Sequence, residues 1–164
     1  MLDIIVSLKG IEDENFVNYK KASMFLATTQ CSFKCDRESG KYVCINSPLV
    51  KQPTIYVKVS ELIERYKNNP ITEAIVIGGL EPFDTYSDLL YIVRLFRKAG
   101  INDDIVIYTG YNEDEIEDKV IPLAENFDNL IIKFGRFIPD VEGRYDDVLG
   151  VTLASYIQYA KKIS

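Results

Sequence analysis

Apolar runs that alternate with amphipathic segments predict an α/β chain with a mostly parallel sheet, arranged as a partial, open β/α barrel or as a doubly wound sheet. Two observations carry this reading. Residues 74–77, 105–108 and 130–134 are continuously or almost continuously apolar, the pattern of strands covered on both faces rather than one. Segments of helical periodicity follow such runs, and four or five βα units are too few to close an eight-stranded barrel. A chain of 164 residues buries roughly 70% of its unfolded surface as one domain, so one domain over 1–164 is expected.

The elements follow in order. A strand is predicted over 22–29, then a cysteine-bearing loop from Gln30 to about Pro53, then a helix with Ser60 as its N-cap, closed by Asn68, Asn69 and Pro70. Its apolar positions Leu62, Ile63 and Tyr66 have helical spacing. The run 74–77 is a buried strand that leads into Gly78-Gly79-Leu80-Glu81-Pro82. Residues 87–99 form a helix whose Leu89, Leu90, Ile92, Val93 and Phe96 face the core, and Gly100 stops it. The strand 105–108 ends at Thr109-Gly110-Tyr111, an acidic helix over 113–126 has Pro122 as its kink or break, and 130–134 is a further strand. The last thirty residues are less regular.

In a parallel sheet with right-handed crossovers the ligand site lies beyond the C-terminal ends of the strands. The cysteine loop, Gly78-Gly79 and Thr109-Gly110 all follow strands, so one rim is expected to carry all three.

Composition removes several classes of function. The formal net charge is −6 and no stretch clusters five Lys or Arg, which argues against duplex nucleic acid or anionic lipid as a ligand. No apolar run approaches the roughly 20 residues that span a bilayer, and the first ten residues lack a cationic leader pattern, so a cytoplasmic location is expected. The chain has no histidine, which excludes a Ser-His-Asp triad, a Cys-His nucleophile pair and a Cys/His zinc finger.

The strongest chemical signal is Cys31-Ser-Phe-Lys-Cys35 followed, after eight intervening residues, by Cys44. Three local cysteines are too few for a disulfide framework. Three thiolates hold three irons of a cubane cluster and leave the fourth open to a small molecule that chelates through amino and carboxylate groups. The residues alone also allow three unligated thiols, or a zinc ion completed by Asp36 or water. In the second feature, Gly78 and Gly79 let a ligand approach the backbone, Glu81 accepts from an ammonium group and Pro82 stiffens the turn, although such a sequence also serves as a plain strand-to-helix turn. Thr109-Gly110-Tyr111 places a hydroxyl and a ring on the same rim, with Asn112 capping Glu113 and Asp114 as the simpler account.

Taken together, these residues resemble the activating proteins of the anaerobic ribonucleoside-triphosphate reductase, within the radical S-adenosylmethionine (SAM) superfamily. The resemblance rests on Asn18-Tyr19-Lys20, Cys31 and Cys35 at CX3C spacing, Gly78-Gly79 with Glu81-Pro82, Tyr108-Thr109-Gly110-Tyr111, Gly135-Arg136-Phe137, and Ser155 with Gln158 near the end. It implies an open β/α barrel of the radical SAM type and a [4Fe–4S] cluster held by Cys31, Cys35 and Cys44. Gly78, Gly79 and Glu81 would hold the methionine end of SAM, and Thr109 or Tyr111 would line the rest. One electron from a flavodoxin-like or ferredoxin-like donor would split SAM into methionine and a 5′-deoxyadenosyl radical, which would abstract a glycine hydrogen from a glycyl-radical enzyme such as the reductase.

The chain departs from that family in three places. The usual CX3CX2C with an aromatic residue before the third cysteine is here CX3CX8C with Val43 before Cys44, which leaves Phe33 or Tyr42 as the ring available to adenine. Leu80 is extra in the Gly-Gly-Glu-Pro segment, and Ile157 stands where Asn is usual. Two alternatives stay open: a radical SAM enzyme acting on a small metabolite or peptide, and a non-catalytic cysteine-metal module.

Overall fold

The computed structural model describes residues 4–30 and 51–164. Cys31, Cys35, Cys44 and Phe33 lie outside the described residues, as does most of the loop expected between Gln30 and Pro53. The strands are β1 (Ile5–Leu8), β2 (Gly10–Asn15), β3 (Ser23–Thr28), β4 (Ile55–Lys58), β5 (Ala74–Gly79), β6 (Asp104–Tyr108), β7 (Leu130–Phe134), β8 (Arg144–Asp146), β9 (Val151–Leu153) and β10 (Tyr159–Lys162). The helices are α1 (Val59–Asn68), α2 (Tyr86–Lys98) and α3 (Glu117–Asn126).

Six strands form one sheet in the order β10-β7-β6-β5-β3-β2. Its centre, β3-β5-β6-β7, is parallel, whereas β2 and β10 close the two sides as antiparallel strands. Every residue of β5 and β7 is buried, as continuous apolar runs require when both faces are covered.

The two faces are covered differently. On one, Met24, Leu26, Ile75, Ile77, Ile105, Ile107 and Ile132 pack with Leu62 and Tyr66 of α1, Leu89, Val93 and Phe96 of α2, and Leu123 of α3. On the other, Val76, Val106 and Ile131 meet Tyr19, Leu149 and Leu153, so the β8–β9 hairpin and its connecting turn stand where a doubly wound sheet would place helices. Tyr19 is fixed there by its hydroxyl, which donates to Asp104 Oδ2 at 2.7 Å. Among the described residues no helix is long and apolar enough to cross a membrane.

Two local expectations are corrected. Ser60 is not an N-cap, because α1 begins one residue earlier and follows Lys58 without a side-chain cap. The Val59 N–H donates instead to the Ile4 carbonyl at 2.9 Å, and the buried Val59 side chain pulls the helix start into the core, so the neighbouring chain satisfies one of the exposed amides of a helix terminus. The acidic helix breaks at Ile116 rather than at Pro122, which sits inside α3. Residues Glu113–Glu115 form a separate 3₁₀ turn, and the buried Ile116 between the two turns its side chain into the core. Leu90, expected in the core, is half-buried at its margin.

Candidate functional site

The rim is built by three successive parallel strands. Thr28 of β3 stands opposite Gly79 of β5, and the Thr28 hydroxyl donates to the Gly78 carbonyl at 3.0 Å. Gly79 has φ of +83°, and a Cβ there would lie 2.7 Å from Ala27 Cα, so only glycine permits this approach. The Glu81 N–H then donates to the Gln30 carbonyl at 2.6 Å. Since Gln30 immediately precedes Cys31, the cysteine segment departs from the chain at a point fastened to Glu81.

The Glu81 side chain, only 6% exposed, joins this edge to the next strand. Its Oε1 accepts from the Gly110 N–H at 2.8 Å, and its Oε2 accepts from the Thr109 hydroxyl at 2.8 Å and the Phe83 N–H at 3.1 Å. Burial disfavours the charged form and raises its pKa to about 7, against the opposing pull of the three donors. A carboxylate offers about four acceptor positions, and the described residues occupy three.

A cavity of about 330 Å³ opens below this rim, on the sheet face away from the helices. Gly78, Gly79, Glu81 and Thr109, all singled out in the sequence, line it together with Phe25 and Tyr108. Gly78 makes room between two of these side chains, since a Cβ there would lie 3.3 Å from the Phe25 ring and 3.4 Å from Tyr108 Cβ. Tyr111 is not among the lining residues. Its ring packs on the helix side and its hydroxyl donates to Asp84 Oδ1 at 2.6 Å, which fastens the β6 end to the turn after Glu81.

The far wall contains groups to which the sequence reading gave no role in binding. Lys133 of β7, 6% exposed, stands opposite Tyr108 and donates from Nζ to the Gly135 carbonyl at 3.1 Å, with the ammonium 5.5 Å from the Tyr108 ring centre. Gln158 donates from Nε2 to the same carbonyl at 3.3 Å, while its Oε1 accepts from the Ser155 N–H at 3.0 Å. Thus Ser155 and Gln158 form a bracket that holds the Gly135 turn against the cavity. A lysine inside the apolar run Leu-Ile-Ile-Lys-Phe was the signal available, because a buried lysine needs a reason to be there. Arg136 turns the other way, donating to Glu115 Oε2 at 2.6 Å.

Among the described residues no group of three or more His, Cys, Asp and Glu is placed to hold a metal ion. The conserved-profile description of the 4Fe-4S single cluster domain matches residues 20–148, well over half of the chain and inclusive of all three cysteines. The protein therefore belongs to the 4Fe-4S single cluster domain family. A search of curated proteins gives no match. The residues present fit such a cluster, since the three cysteines supply thiolate ligands and the cavity lined by Gly78, Gly79 and Glu81 lies beside Gln30, the residue before Cys31, whose carbonyl accepts from the Glu81 N–H.

Proposed function

We propose that this protein is a radical SAM enzyme, and specifically an activase of a glycyl-radical enzyme such as anaerobic ribonucleotide reductase. The observation that supports it most is the Glu81–Gln30 hydrogen bond at the lip of a strand-end cavity. It sets the origin of the cysteine segment beside the space lined by Gly78, Gly79, Glu81 and Thr109. In this reading Cys31, Cys35 and Cys44 hold the cluster and leave one iron open. When bound, the cluster supplies one electron to SAM, which splits into methionine and a 5′-deoxyadenosyl radical.

The chain's own residues provide binding and shape. The 78–81 segment presents its backbone and the Glu81 carboxylate to the methionine end, and Thr109 holds Glu81 in place. The radical takes a hydrogen atom from a glycine of the partner, yielding 5′-deoxyadenosine and a glycyl radical. The electron comes from a flavodoxin-like or ferredoxin-like donor. Among the described residues the helices cover one face of the sheet, which supports an open barrel over a doubly wound sheet, and such machinery belongs in the cytoplasm.

Anaerobic reconstitution followed by electron paramagnetic resonance of the reduced protein, with and without SAM, tests the reading. A [4Fe–4S] signal that shifts on adding SAM, together with 5′-deoxyadenosine formation, is expected, and Cys44→Ala is expected to lose the signal. A cluster signal indifferent to SAM would end the radical SAM reading. An activase also forms a complex with its partner and generates a glycyl radical there, whereas an enzyme acting on a small metabolite or peptide does neither.

A further inference from the structure

We infer that Tyr111, which does not line the strand-end cavity, is a positioning residue that holds the Glu81 carboxylate in the orientation it presents there. The inference rests on the SAM reading above only for the identity of the ligand that the cavity receives. It adds that the carboxylate is set before a ligand arrives.

Four hydrogen bonds close a ring between the ends of β5 and β6. The Thr109 hydroxyl donates to Glu81 Oε2 at 2.8 Å and accepts from the Tyr111 N–H at 3.0 Å. The Tyr111 hydroxyl donates to Asp84 Oδ1 at 2.6 Å, and the Asp84 N–H donates to the Glu81 carbonyl at 3.0 Å. Tyr111 therefore reaches Glu81 from two sides, through its main chain toward the carboxylate and through its phenol toward the backbone. A hydroxyl has one proton to give, so the Tyr111 N–H, by using a lone pair of Thr109, leaves that proton directed at Glu81.

The same residue meets the third strand as well. Its carbonyl accepts from the Gly135 N–H at 3.0 Å, at the turn that follows β7, and its ring packs against the helix-side core. Groups ordered in advance lower the cost of binding. Because Tyr111→Phe keeps the ring and both main-chain bonds, it removes the tether to Asp84 and leaves the packing.

Hydrogen exchange of the full chain, resolved at single amides, reads the orientation without a ligand. The Gly110 and Phe83 amides both donate to the Glu81 carboxylate, so they report whether it stays in place. Tyr111→Phe is expected to speed exchange at these two amides about ten-fold, as loss of one charge-assisted hydrogen bond allows, and to leave Ile77 and Ile107 in the strand interiors unchanged. Asp84→Ala is expected to act alike and the double variant to add nothing further, whereas Asp84→Asn, which keeps an acceptor, is expected to recover part of the protection. Titration calorimetry on the anaerobically reconstituted protein then reads S-adenosylhomocysteine, which Tyr111→Phe is expected to bind about five-fold more weakly, the lower end of a typical coupling between sites. Unchanged exchange at Gly110 and Phe83 overturns the assignment, as does a uniform rise that includes Ile77 and Ile107, additive effects of the two single variants, or equal affinity of wild type and Tyr111→Phe for the probe. Wild type that does not bind S-adenosylhomocysteine overturns the SAM reading instead, and the exchange rates still decide the role of Tyr111.

Discussion

Glu81 and Gly110 are joined by a 2.8 Å hydrogen bond from the Gly110 N–H to the Glu81 carboxylate, which ties the end of β5 to the end of β6. Because the Glu81 N–H also reaches the Gln30 carbonyl, one residue fastens the ends of three adjacent parallel strands. The cavity rim is therefore held by a buried side chain rather than by loop packing.

Removing that side chain leaves the Gly110 and Phe83 amides and the Thr109 hydroxyl without their acceptor. Glu81→Ala is expected to lower unfolding free energy by about 3 kcal/mol or more, from roughly 1–3 kcal/mol for each buried donor left unsatisfied. Urea unfolding of the two proteins measures it, and a loss below about 1 kcal/mol would show that water replaces the carboxylate.

The Glu81 pKa, raised from 4.5 to about 7 by burial, makes its contribution depend on pH. In this range the folded state binds more protons than the unfolded state, so the stability contributed by this group is full below pH 4.5 and falls as pH rises through about 7. A shift of this size corresponds to about 3 kcal/mol. Relative to Glu81→Gln, which cannot titrate, the wild type is expected to lose stability between pH 5 and 8. Paired unfolding titrations across that range read the difference directly, and a flat or opposite slope would refute it.

The two adjacent glycines are expected to respond differently to alanine. At Gly79 the positive φ and the 2.7 Å approach to Ala27 Cα force the backbone of β3 away, at a cost of about 3 kcal/mol or more. At Gly78 the nearest atoms are the Phe25 ring and Tyr108 Cβ at 3.3 and 3.4 Å, which give by a few tenths of an ångström. Gly78→Ala is expected to fold with a loss of about 1 kcal/mol and a narrowed cavity. Thermal unfolding of both variants checks the ranking.

The two ion pairs near the β7 end differ in burial and so in worth. Arg136 and Glu115 have side chains 10% and 27% exposed, whereas Lys161 and Glu113 are 57% and 41% exposed. Truncation of Glu115 leaves a buried guanidinium without its carboxylate and is expected to cost about 2–4 kcal/mol. Lys161→Ala is expected to cost under about 1 kcal/mol. Comparable losses in the two variants would show that the Arg136 pair is solvated.

Residue order alone determined the strands over 74–77, 105–108 and 130–134, because an apolar run buried on both faces needs no knowledge of its neighbours. It also placed Gly78, Gly79, Glu81 and Thr109 on one rim, since consecutive parallel strands end on the same side. The helix boundaries at Val59 and Ile116 were not legible, as each depends on a distant partner, the Ile4 carbonyl in one case and the helix-side core in the other. Tertiary structure alone decided the direction of Tyr111 and the roles of Lys133 and Gln158. Which face a side chain joins beyond a strand's end depends on the local turn, and two donors as far apart in the chain as Lys133 and Gln158 meet on one carbonyl only when β10 returns to pair with β7.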